Sequence, residues 1–255
     1  MIDKRYIAII PARYASTRFP AKPLSVLGGK PIIQRVYERV KPFFEETIVA
    51  TDSEEIMSCV QSFGGKAIMT SQNHRSGTDR CREAYLKNGS QYDIVVNVQG
   101  DEPFIQSSQL QSIKSCFDDE ETQIATLVKP FDPDTDMALV ENPNSPKVVV
   151  DSRGFALYFS RSVIPFVRGQ EKSSWARQHV FLKHIGLYAY KTDVLMEITS
   201  LPQSSLELAE SLEQLRWLEN GYRIKTQLTS QETIGIDTPE DLKRAEEFLR
   251  VHGDY

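Results

Sequence analysis

The chain has 255 residues, 40% of them hydrophobic, which is enough to bury a sizeable core in one large α/β domain. Its formal net charge of −5 argues against nucleic acid or an anionic membrane surface as the main partner, because both require a broad basic face. The three cysteines, Cys59, Cys81 and Cys116, are odd in number and widely spaced. This pattern favours reduced, mostly buried thiols in the cytoplasm over a disulfide framework or a zinc site. Because no segment is apolar over the length of a membrane span, we expect neither secretion nor membrane insertion.

The first predicted strand, residues 6–10, breaks at Pro11 into a loop that carries three cations, Arg13, Arg18 and Lys22. A loop that follows a strand of an open α/β sheet lies at the carboxyl edge, where ligands of such folds bind. Arginine binds phosphate or carboxylate in a bidentate way and lysine adds a compact charge. We therefore expect a polyanion such as a nucleoside triphosphate. A merely solvated turn is less favoured, since three prolines stiffen the loop and hold its like charges together.

Strand-like and helix-like segments alternate after this loop, which is typical of βαβ units and a mostly parallel sheet. A helix is predicted to begin at Pro31, and Asp52 or Ser53 is expected to cap the next one. Thr78 is a candidate N-cap for a third helix. The predicted strands cover residues 47–51, 67–70 and 94–98, and the third helix covers residues 78–87.

From about residue 123 the pattern changes to short strands with tight turns, at 124–128, 148–150 and 156–159. We expect a mixed sheet whose later portion, approximately residues 123–205, forms a smaller strand-rich lobe within a single domain, residues 1–255. Leucines at helical spacing predict one helix over residues 206–219. A last helix is predicted to begin with Thr238 as N-cap, Pro239 at the first helical position and Asp241 at the third.

Asp101 follows the most apolar strand in the run Gln99-Gly100-Asp101, so it is expected at the same edge as the cationic loop. A carboxylate that faces bound phosphates makes sense as a Mg²⁺ ligand, and we favour this role over a turn or cap aspartate. Asp237 immediately precedes the predicted start of the last helix. The helix-start signature explains why Thr238 is present, but it gives Asp237 no structural role. There is no Walker P-loop and no Gly-x-Gly-x-x-Gly run, which disfavours ATP-hydrolase and dinucleotide folds.

The second half contains one polar residue whose position by itself suggests a carboxylated ligand such as a sugar acid. Arg161 ends an apolar strand and has the geometry to hold a carboxylate. His184 and Tyr188 alternate along a predicted strand and share one face, although each residue alone is more often part of a core. Glu213 and Gln214 lie in a helical block whose other interpretation is a solvated polar face.

The run Ile9-Ile10-Pro11-Ala12-Arg13-Tyr14-Ala15-Ser16-Thr17-Arg18-Phe19-Pro20-Ala21-Lys22-Pro23-Leu24 resembles the opening signature of the sugar-activating cytidylyltransferases. The resemblance runs nearly from end to end and is closest to the members that use 3-deoxy-D-manno-octulosonate (Kdo). Two positions depart mildly from the signature, where Phe19 and Ala21 replace residues that are often Leu and Gly. Neither residue is expected to touch the chemistry.

The resemblance implies a Rossmann-like nucleotidyltransferase fold and a homodimer, with the strand-rich lobe binding the sugar and forming the dimer contact. It implies transfer of CMP from CTP to Kdo with release of pyrophosphate, the activation step for the inner core of lipopolysaccharide. Mg²⁺ is the implied cofactor. Rival interpretations are a cytidylyltransferase for another acidic sugar, such as a sialic acid or an 8-amino analogue, and a silent protein that only binds the nucleotide.

The family's site residues carry over to this sequence position by position. The resemblance implies metal ligation by Asp101 and Asp237, with Arg18 and Lys22 as further catalytic residues. The implied nucleotide-binding residues are Pro11, Ala12, Arg13, Lys22, Arg75, Ser76, Arg80 and Gln99. The implied sugar-binding residues are Arg18, Arg161, His184, Tyr188, Glu213 and Gln214.

Overall fold

The computed structural model describes residues 4–15, 19–89, 91–231 and 235–253. The chain divides into two compact units. The first comprises Met1–Leu110, Lys191–Thr199 and Thr233–Tyr255, and the second comprises Gln111–Tyr190 and Ser200–Glu232. The second unit starts before and ends after the lobe expected at about residues 123–205, but Lys191–Thr199 within that range belongs to the first unit. The sugar-binding and dimerisation roles of the lobe stay predictions.

The strands of the first unit precede those of the second along the sequence. The first unit contains β1 (Tyr6–Ala12), β2 (Val26–Leu27), β3 (Lys30–Pro31), β4 (Glu46–Thr51), β5 (Ala67–Met69) and β6 (Ile94–Asn97). The second contains β7 (Ile124–Pro130), β8 (Lys147–Val150), β9 (Ala156–Ser160), β10 (Leu182–Lys191) and β11 (Ile224–Leu228).

The α-helices are, in chain order, α1 (Ile32–Val40), α2 (Glu54–Ser62), α3 (Gly77–Lys87), α4 (Ser107–Ser115), α5 (Met137–Glu141), α6 (Trp175–Gln178), α7 (Thr192–Ile198), α8 (Ser205–Glu210), α9 (Gln214–Glu219) and α10 (Pro239–His252). Short 3₁₀ turns cover Lys22–Leu24, Lys41–Phe43, Cys116–Asp118 and Lys172–Ser174. Among the helices of the described ranges, none combines the length and hydrophobicity required to span a bilayer.

The first unit is built on a parallel sheet in the order β5-β4-β1-β6. Its central strand, β1, reads Ile7-Ala8-Ile9-Ile10 and is fully buried, because a parallel strand covered on both faces requires continuous apolar side chains. The parallel arrangement predicted from the alternating pattern is confirmed.

Helix starts in the first unit follow from capping chemistry, with two corrections. Ser53 caps α2 through the backbone N–H of Ile56, as predicted. The cap of α3 is Ser76, whose hydroxyl accepts from the Asp79 N–H, so the prediction of Thr78 was wrong. Thr78 lies inside the helix and is buried, since the helix begins earlier, at Gly77. Pro31 is the N-cap of α1 rather than its first helical residue.

The last helix, α10, begins as its sequence predicts. Thr238 and Asp241 form a capping box in which each side chain accepts from the other's backbone N–H, and Pro239 occupies the first turn. Both N–H groups of the Asp237-Thr238 pair donate to the Asp241 carboxylate. The start of α10, and with it the backbone at Asp237, is therefore fixed.

Gly100 explains how the loop after β6 comes close to the end of β1. A Cβ at this glycine would lie 2.8 Å from the carbonyl oxygen of Pro11, closer than any side chain tolerates. The lack of a side chain therefore lets two loops of the carboxyl edge approach one another.

The three cysteines are free thiols, as expected. Cys81 and Cys116 are buried and Cys59 is partly exposed. Burial raises the pKa of the Cys116 thiol to about 12, so it remains a neutral, inert core residue.

The second unit contains a mixed arrangement of strands. β11 runs parallel to β7, whereas β10 pairs antiparallel with both β7 and β8, and β8 pairs antiparallel with β9. The register of β10 against β7 shifts between Ile185 and Tyr188, where two extra residues form a bulge. The Thr126 hydroxyl lies 3.0 Å from the Ile185 carbonyl oxygen and 2.9 Å from that of Leu187, which closes the bulge.

One predicted helix of the second unit is two helices. The leucine pattern over residues 206–219 predicted a continuous helix, but Ser211 adopts a left-handed conformation with φ of 50° and ends α8. A second helix, α9, then begins at Gln214. The leucine spacing does not follow one buried face, since Leu208 on α8 is exposed whereas Leu215 on α9 is buried. The prediction of one helix was therefore wrong, since side-chain type alone does not mark the backbone turn.

Candidate active site

A cleft of about 330 Å³ opens in the first unit where β1, β5 and β6 end. Its wall is made of residues that follow these three strands, together with the segment before α10. The lining residues are Pro11, Ala12, Arg13, Lys22, Pro23, His74, Arg75, Ser76, Gly77, Arg80, Gln99, Gly100, Asp101 and Asp237. The cleft at the carboxyl edge of the sheet agrees with the expectation from the sequence.

Lys22 lies between the two aspartates at one end of this cleft. Its Nζ is 2.5 Å from Asp101 Oδ2 and 3.1 Å from Asp237 Oδ1, while the Lys22 side chain is only 12% exposed. The N–H of Ile236 donates to the carbonyl oxygen of Asp101 at 2.9 Å, which brings the two aspartates together despite their distance in sequence. Two carboxylates thus converge on one cation at the mouth of a cleft.

The cations of the cleft differ in how tightly they are held. Arg13 and Arg75 are exposed, so their guanidinium groups have room to follow an anion. Arg80 is buried, and it donates to Asp52 Oδ2 at 2.8 Å and to Thr70 Oγ1 at 2.6 Å. Its charge is therefore fixed in place by a buried ion pair.

Asp52 joins two loops of the cleft, a role that sequence reasoning missed. Besides the ion pair with Arg80, its Oδ1 accepts the backbone N–H of Tyr14 at 3.2 Å. The sequence offered Asp52 only as a possible helix cap, and Ser53 takes that position instead. His74 also lines the cleft and was not selected from the sequence.

In the second unit, His184 and Tyr188 share one face of β10, as their spacing predicted, with ring centroids 5.3 Å apart. Phe159 meets His184 edge to face at 5.1 Å, and Trp217 meets Tyr188 in the same way at 5.3 Å. Burial lowers the pKa of His184 to about 4, so its imidazole is neutral at pH 7. The Thr126 hydroxyl lies 3.1 Å from Nε2 of this ring.

The hydroxyl of Tyr188 is buried and makes no hydrogen bond within the described ranges. Burial, and then the nearby Tyr190 and Glu213, raise the pKa of Tyr188 well above its usual value. The Thr126 hydroxyl is near enough to offset this pKa increase in part, although it does not meet hydrogen-bond geometry with the phenol. Tyr188 therefore presents a neutral phenol without a protein partner in the described part of the chain.

Glu213 and Gln214 lie at the start of α9. A carboxylate oxygen of Glu213 accepts from the Arg216 guanidinium at 2.9 Å. Gln214 is 4% exposed, and its Nε2 has no hydrogen-bond partner within the described ranges. We call His184, Tyr188, Glu213 and Gln214 the polar-aromatic cluster. Its buried phenol and amide are groups that a polar ligand could satisfy.

Arg161 is held by main-chain carbonyl groups rather than by a carboxylate. Its guanidinium donates to the carbonyl oxygens of Glu210, Pro143 and Ser211 at 2.6, 2.7 and 3.1 Å. Because these oxygens include the C-terminal carbonyls of α8, Arg161 fixes the turn between α8 and α9. Its predicted contact with a sugar carboxylate stays a prediction.

The structure brings together all the described residues that were assigned to nucleotide and metal. These are Pro11, Ala12, Arg13, Lys22, Arg75, Ser76, Arg80, Gln99, Asp101 and Asp237. Arg18, which was expected to bridge phosphate and sugar, lies outside the described residues. The roles of all these side chains stay predictions.

Comparison with known proteins yields a family and several close relatives. A profile of the family "Cytidylyltransferase" matches residues 7–234. A 3-deoxy-manno-octulosonate cytidylyltransferase of Phocaeicola vulgatus is 68% identical over 96% of this chain and 98% of its own length. The protein of the same name from Bacteroides thetaiotaomicron is 65% identical over the same shares of the two chains.

Solved structures agree with these matches. The structure of CMP:2-keto-3-deoxy-manno-octonic acid synthetase complexed with CTP has a TM-score of 0.88 and 42% identity, covering 97% of this chain and 99% of that one. A 4-diphosphocytidyl-2C-methyl-D-erythritol synthase from Anaerococcus prevotii, at 13% identity and a TM-score of 0.61 over 97% of this chain and 100% of its own, shares the fold alone. The predicted α/β nucleotidyltransferase fold is thereby confirmed.

Proposed function

The chain belongs to the cytidylyltransferase family, and from this premise we propose that it transfers CMP from CTP to Kdo, giving CMP-Kdo and pyrophosphate. The observation that carries the proposal is the cleft of the first unit, where Lys22 lies between Asp101 and Asp237 among arginines that suit a triphosphate. The product would be the activated sugar for the inner core of lipopolysaccharide. The free cysteines are compatible with a reducing cytoplasm as the place of this reaction.

The nucleotide would bind with its phosphates toward the cations of the cleft. Arg13 and Arg75 are exposed and free to orient on phosphate oxygens, and Lys22 supplies a compact charge. The residues proposed to contact the base and ribose are Pro11, Ala12, Ser76, Arg80 and Gln99. Arg80 would act with its position already set, because Asp52 and Thr70 hold its guanidinium.

Asp101 and Asp237 fit a Mg²⁺ ion. Their carboxylates already converge on one cationic group, the Lys22 ammonium, and carboxylate oxygens are the hard ligands that Mg²⁺ prefers. In the described ranges no group of three or more acidic, histidine or cysteine side chains forms a metal cage. Two carboxylates completed by substrate phosphates and water are the usual protein contribution to a magnesium–nucleotide site. When bound, the ion would neutralise phosphate charge and orient the triphosphate.

In the reaction, the anomeric hydroxyl oxygen of Kdo attacks the α-phosphorus of CTP. A new O–P bond forms, the bond to the β-phosphate oxygen breaks, pyrophosphate leaves and the hydroxyl proton is released. Negative charge grows on the departing oxygens, where Lys22 and Arg13 would stabilise it. The side chains therefore act by position and charge, and no covalent enzyme intermediate is required.

The polar-aromatic cluster of the second unit is proposed to bind the sugar acid. The phenol of Tyr188 and the amide of Gln214 are buried polar groups without protein partners in the described ranges, so sugar hydroxyls would complete their hydrogen bonds. His184 would act as a neutral donor or acceptor, because its pKa of about 4 keeps it uncharged. Arg161 and Arg18 are proposed to supply the positive charge for the carboxylate.

We also propose that the protein is a homodimer through the second unit. Six large apolar side chains of this unit are exposed, with Phe166 the most exposed at 74%, and the others are Leu139, Leu157, Val180, Leu208 and Leu228. Phe166 also packs edge to face on Trp175 at 4.8 Å, so it extends the apolar cluster around Trp175 to the surface.

Light scattering on the purified protein should give twice the chain mass, and Phe166→Ser should shift the measured mass toward that of the monomer. A monomeric wild-type protein would exclude the dimer.

The function is tested by pyrophosphate release. With Mg²⁺, CTP and Kdo the enzyme should turn over, whereas UTP and ATP should replace CTP poorly. A panel with a sialic acid and the 8-amino analogue of Kdo as acceptors decides between the acidic sugars. Tight CTP binding without pyrophosphate release from any of them would instead identify a silent nucleotide-binding protein.

A further inference from the structure

Glu83 lies on α3 outside the lining of the cleft, yet two of its three contacts reach the segment that lines it. Its Oε2 accepts the backbone N–H of Ser71 at 2.9 Å and also meets Nε2 of His74 in a short hydrogen bond. Its Oε1 pairs with Lys87 Nζ at 2.7 Å, one turn along the helix. One carboxylate thus holds two points of the segment that joins β5 to α3.

The carboxylate of Glu83 is ionised at neutral pH. Burial raises its pKa, but the hydrogen bonds from Lys87, Ser71 and His74 outweigh that effect and bring the pKa down to about 2. These contacts are therefore charge-assisted, which makes them stronger than hydrogen bonds between neutral groups. The Glu83 carboxylate also stays ionised across the pH range in which an enzyme is assayed.

The segment that Glu83 holds, residues 70–76, is one wall of the nucleotide cleft. His74, Arg75 and Ser76 line the cleft directly. The start and end of the segment are tied to the same helix, since Arg80 donates to Thr70 Oγ1 at 2.6 Å and Ser76 caps α3. Between these ties the contacts with Glu83 fix the middle of the segment.

We propose that Glu83 is a positioning residue of the nucleotide site, which holds residues 70–76 in the shape that receives CTP. This inference rests on the proposed function, because it takes the cleft to be the CTP site. Ordering a loop before its ligand arrives lowers the entropic cost of binding. Loss of the Glu83 carboxylate should therefore weaken CTP binding while the chemical step proceeds nearly as before.

The experiment compares Glu83→Ala and Glu83→Gln with a matched control, Glu38→Ala. Glu38 also accepts from a lysine, Lys30 at 2.6 Å, and its pKa is likewise lowered, but its side-chain partners are Lys30 and Gln34 rather than residues of the segment 70–76. Calorimetry with CTP and Mg²⁺, without any sugar acid, should show a Kd about ten-fold higher for Glu83→Ala. Glu83→Gln should fall between that variant and the wild type, because its amide oxygen still accepts from Ser71. Glu38→Ala should stay within two-fold of the wild type.

Steady-state kinetics separates positioning from general damage to the fold. The KM for CTP should rise in parallel with the Kd, while kcat at saturating CTP stays within about two-fold. A Kd for Glu83→Ala within two-fold of the wild type would overturn the proposal, and so would equal weakening in Glu38→Ala. If Glu83→Ala does not fold, the decision falls to Glu83→Gln, for which a wild-type Kd overturns the proposal and a higher one supports it. Failure of the proposed function is a different result, namely no pyrophosphate release by the wild type with Kdo.

Discussion

The cleft of the first unit and the polar-aromatic cluster of the second present their polar groups in opposite ways. In the cleft, Lys22 and two aspartates satisfy each other, and the exposed Arg13 and Arg75 leave positive charge facing solvent. In the cluster, rings enclose a neutral imidazole and a phenol that has no protein partner in the described ranges. Crowded charges thus favour a charged ligand at the cleft, whereas buried groups left unsatisfied favour polar hydroxyl groups at the cluster.

The largest effect is expected in the cleft of the first unit, for Asp101→Asn. The substitution keeps size and shape but removes one of the two carboxylates that face Lys22. We expect kcat to fall about a thousand-fold, since charge neutralisation supplies much of the acceleration in phosphoryl-type transfers. Pyrophosphate release at saturating CTP and Kdo measures the change.

Its control is Asp118→Asn, an exposed aspartate of the second unit that changes the net charge equally. This variant should keep wild-type turnover, and circular dichroism should show that both proteins are folded. Wild-type turnover by Asp101→Asn would remove Asp101 from the catalytic residues and leave the cleft without its proposed metal ligand.

Tyr188→Phe tests the polar-aromatic cluster of the second unit. Because the hydroxyl is buried without a partner in the described ranges, its removal should leave the free energy of unfolding unchanged or slightly raised. If sugar hydroxyls bind to this phenol, the KM for Kdo should rise about ten-fold while the KM for CTP stays constant. Urea unfolding and steady-state kinetics on the same preparation give the two numbers.

Tyr190→Phe is the matched control, since Tyr190 is fully buried on the same strand and its ring stacks on Tyr188 with centroids 6.1 Å apart. It should leave the KM for Kdo unchanged. If Tyr188→Phe also left that KM unchanged, the cluster would be an ordinary core and the sugar site would have to be sought elsewhere.

The cleft was more predictable from the sequence than the polar-aromatic cluster, because most of its residues lie close in sequence to predicted strands. Lys22 lies on the loop that follows the first strand and Asp101 lies a few residues after β6, so strand prediction placed both at one edge of the sheet. Asp237 was assigned by resemblance, because the link that brings it there is a backbone hydrogen bond from Ile236 to Asp101. Glu83 was missed because a glutamate on a helix surface gives the same pattern whether it faces solvent or holds a loop.

In the second unit, the helix boundaries and the contacts of Arg161 depend on backbone geometry, which side-chain type does not reveal. The break at Ser211 has no residue signal, since left-handed turns usually carry glycine or asparagine. The guanidinium of Arg161 donates to carbonyl groups exposed by that same break, contacts that the sequence did not indicate, while its role toward a sugar carboxylate stays a prediction. The shared face of His184 and Tyr188 was predicted correctly because the bulge adds two residues and so preserves the alternation.

His184→Gln is expected to change stability rather than turnover, and it sharpens the statement that the cluster is neutral. The folded pKa of about 4 lies below the unfolded value of 6.5, so folding favours the uncharged ring. The associated stability is fully present above pH 6.5 and is lost as the pH falls through 4. Between pH 7 and pH 4 the wild type should lose up to about 3 kcal/mol more than His184→Gln, by 1.36 kcal/mol per pKa unit. Urea unfolding at pH 7, 5.5 and 4 measures the difference, and parallel curves for the two proteins would show that the ring is solvated.

The smallest effect is expected at Ser211, whose left-handed turn sets the start of α9 and with it the position of Gln214. Ser211→Gly removes the steric cost of about 1 kcal/mol that a side chain incurs there, but it also adds freedom to the unfolded chain. The net stabilisation should be about 0.5 kcal/mol, read from the urea midpoint at constant m-value. Ser112→Gly, within α4, is the matched control and should destabilise by about 0.5 kcal/mol, because a helical conformation gains nothing from glycine. If both variants destabilised equally, the turn would impose no strain at Ser211. The separation of α8 from α9 would then require another cause, such as the three carbonyl contacts of Arg161.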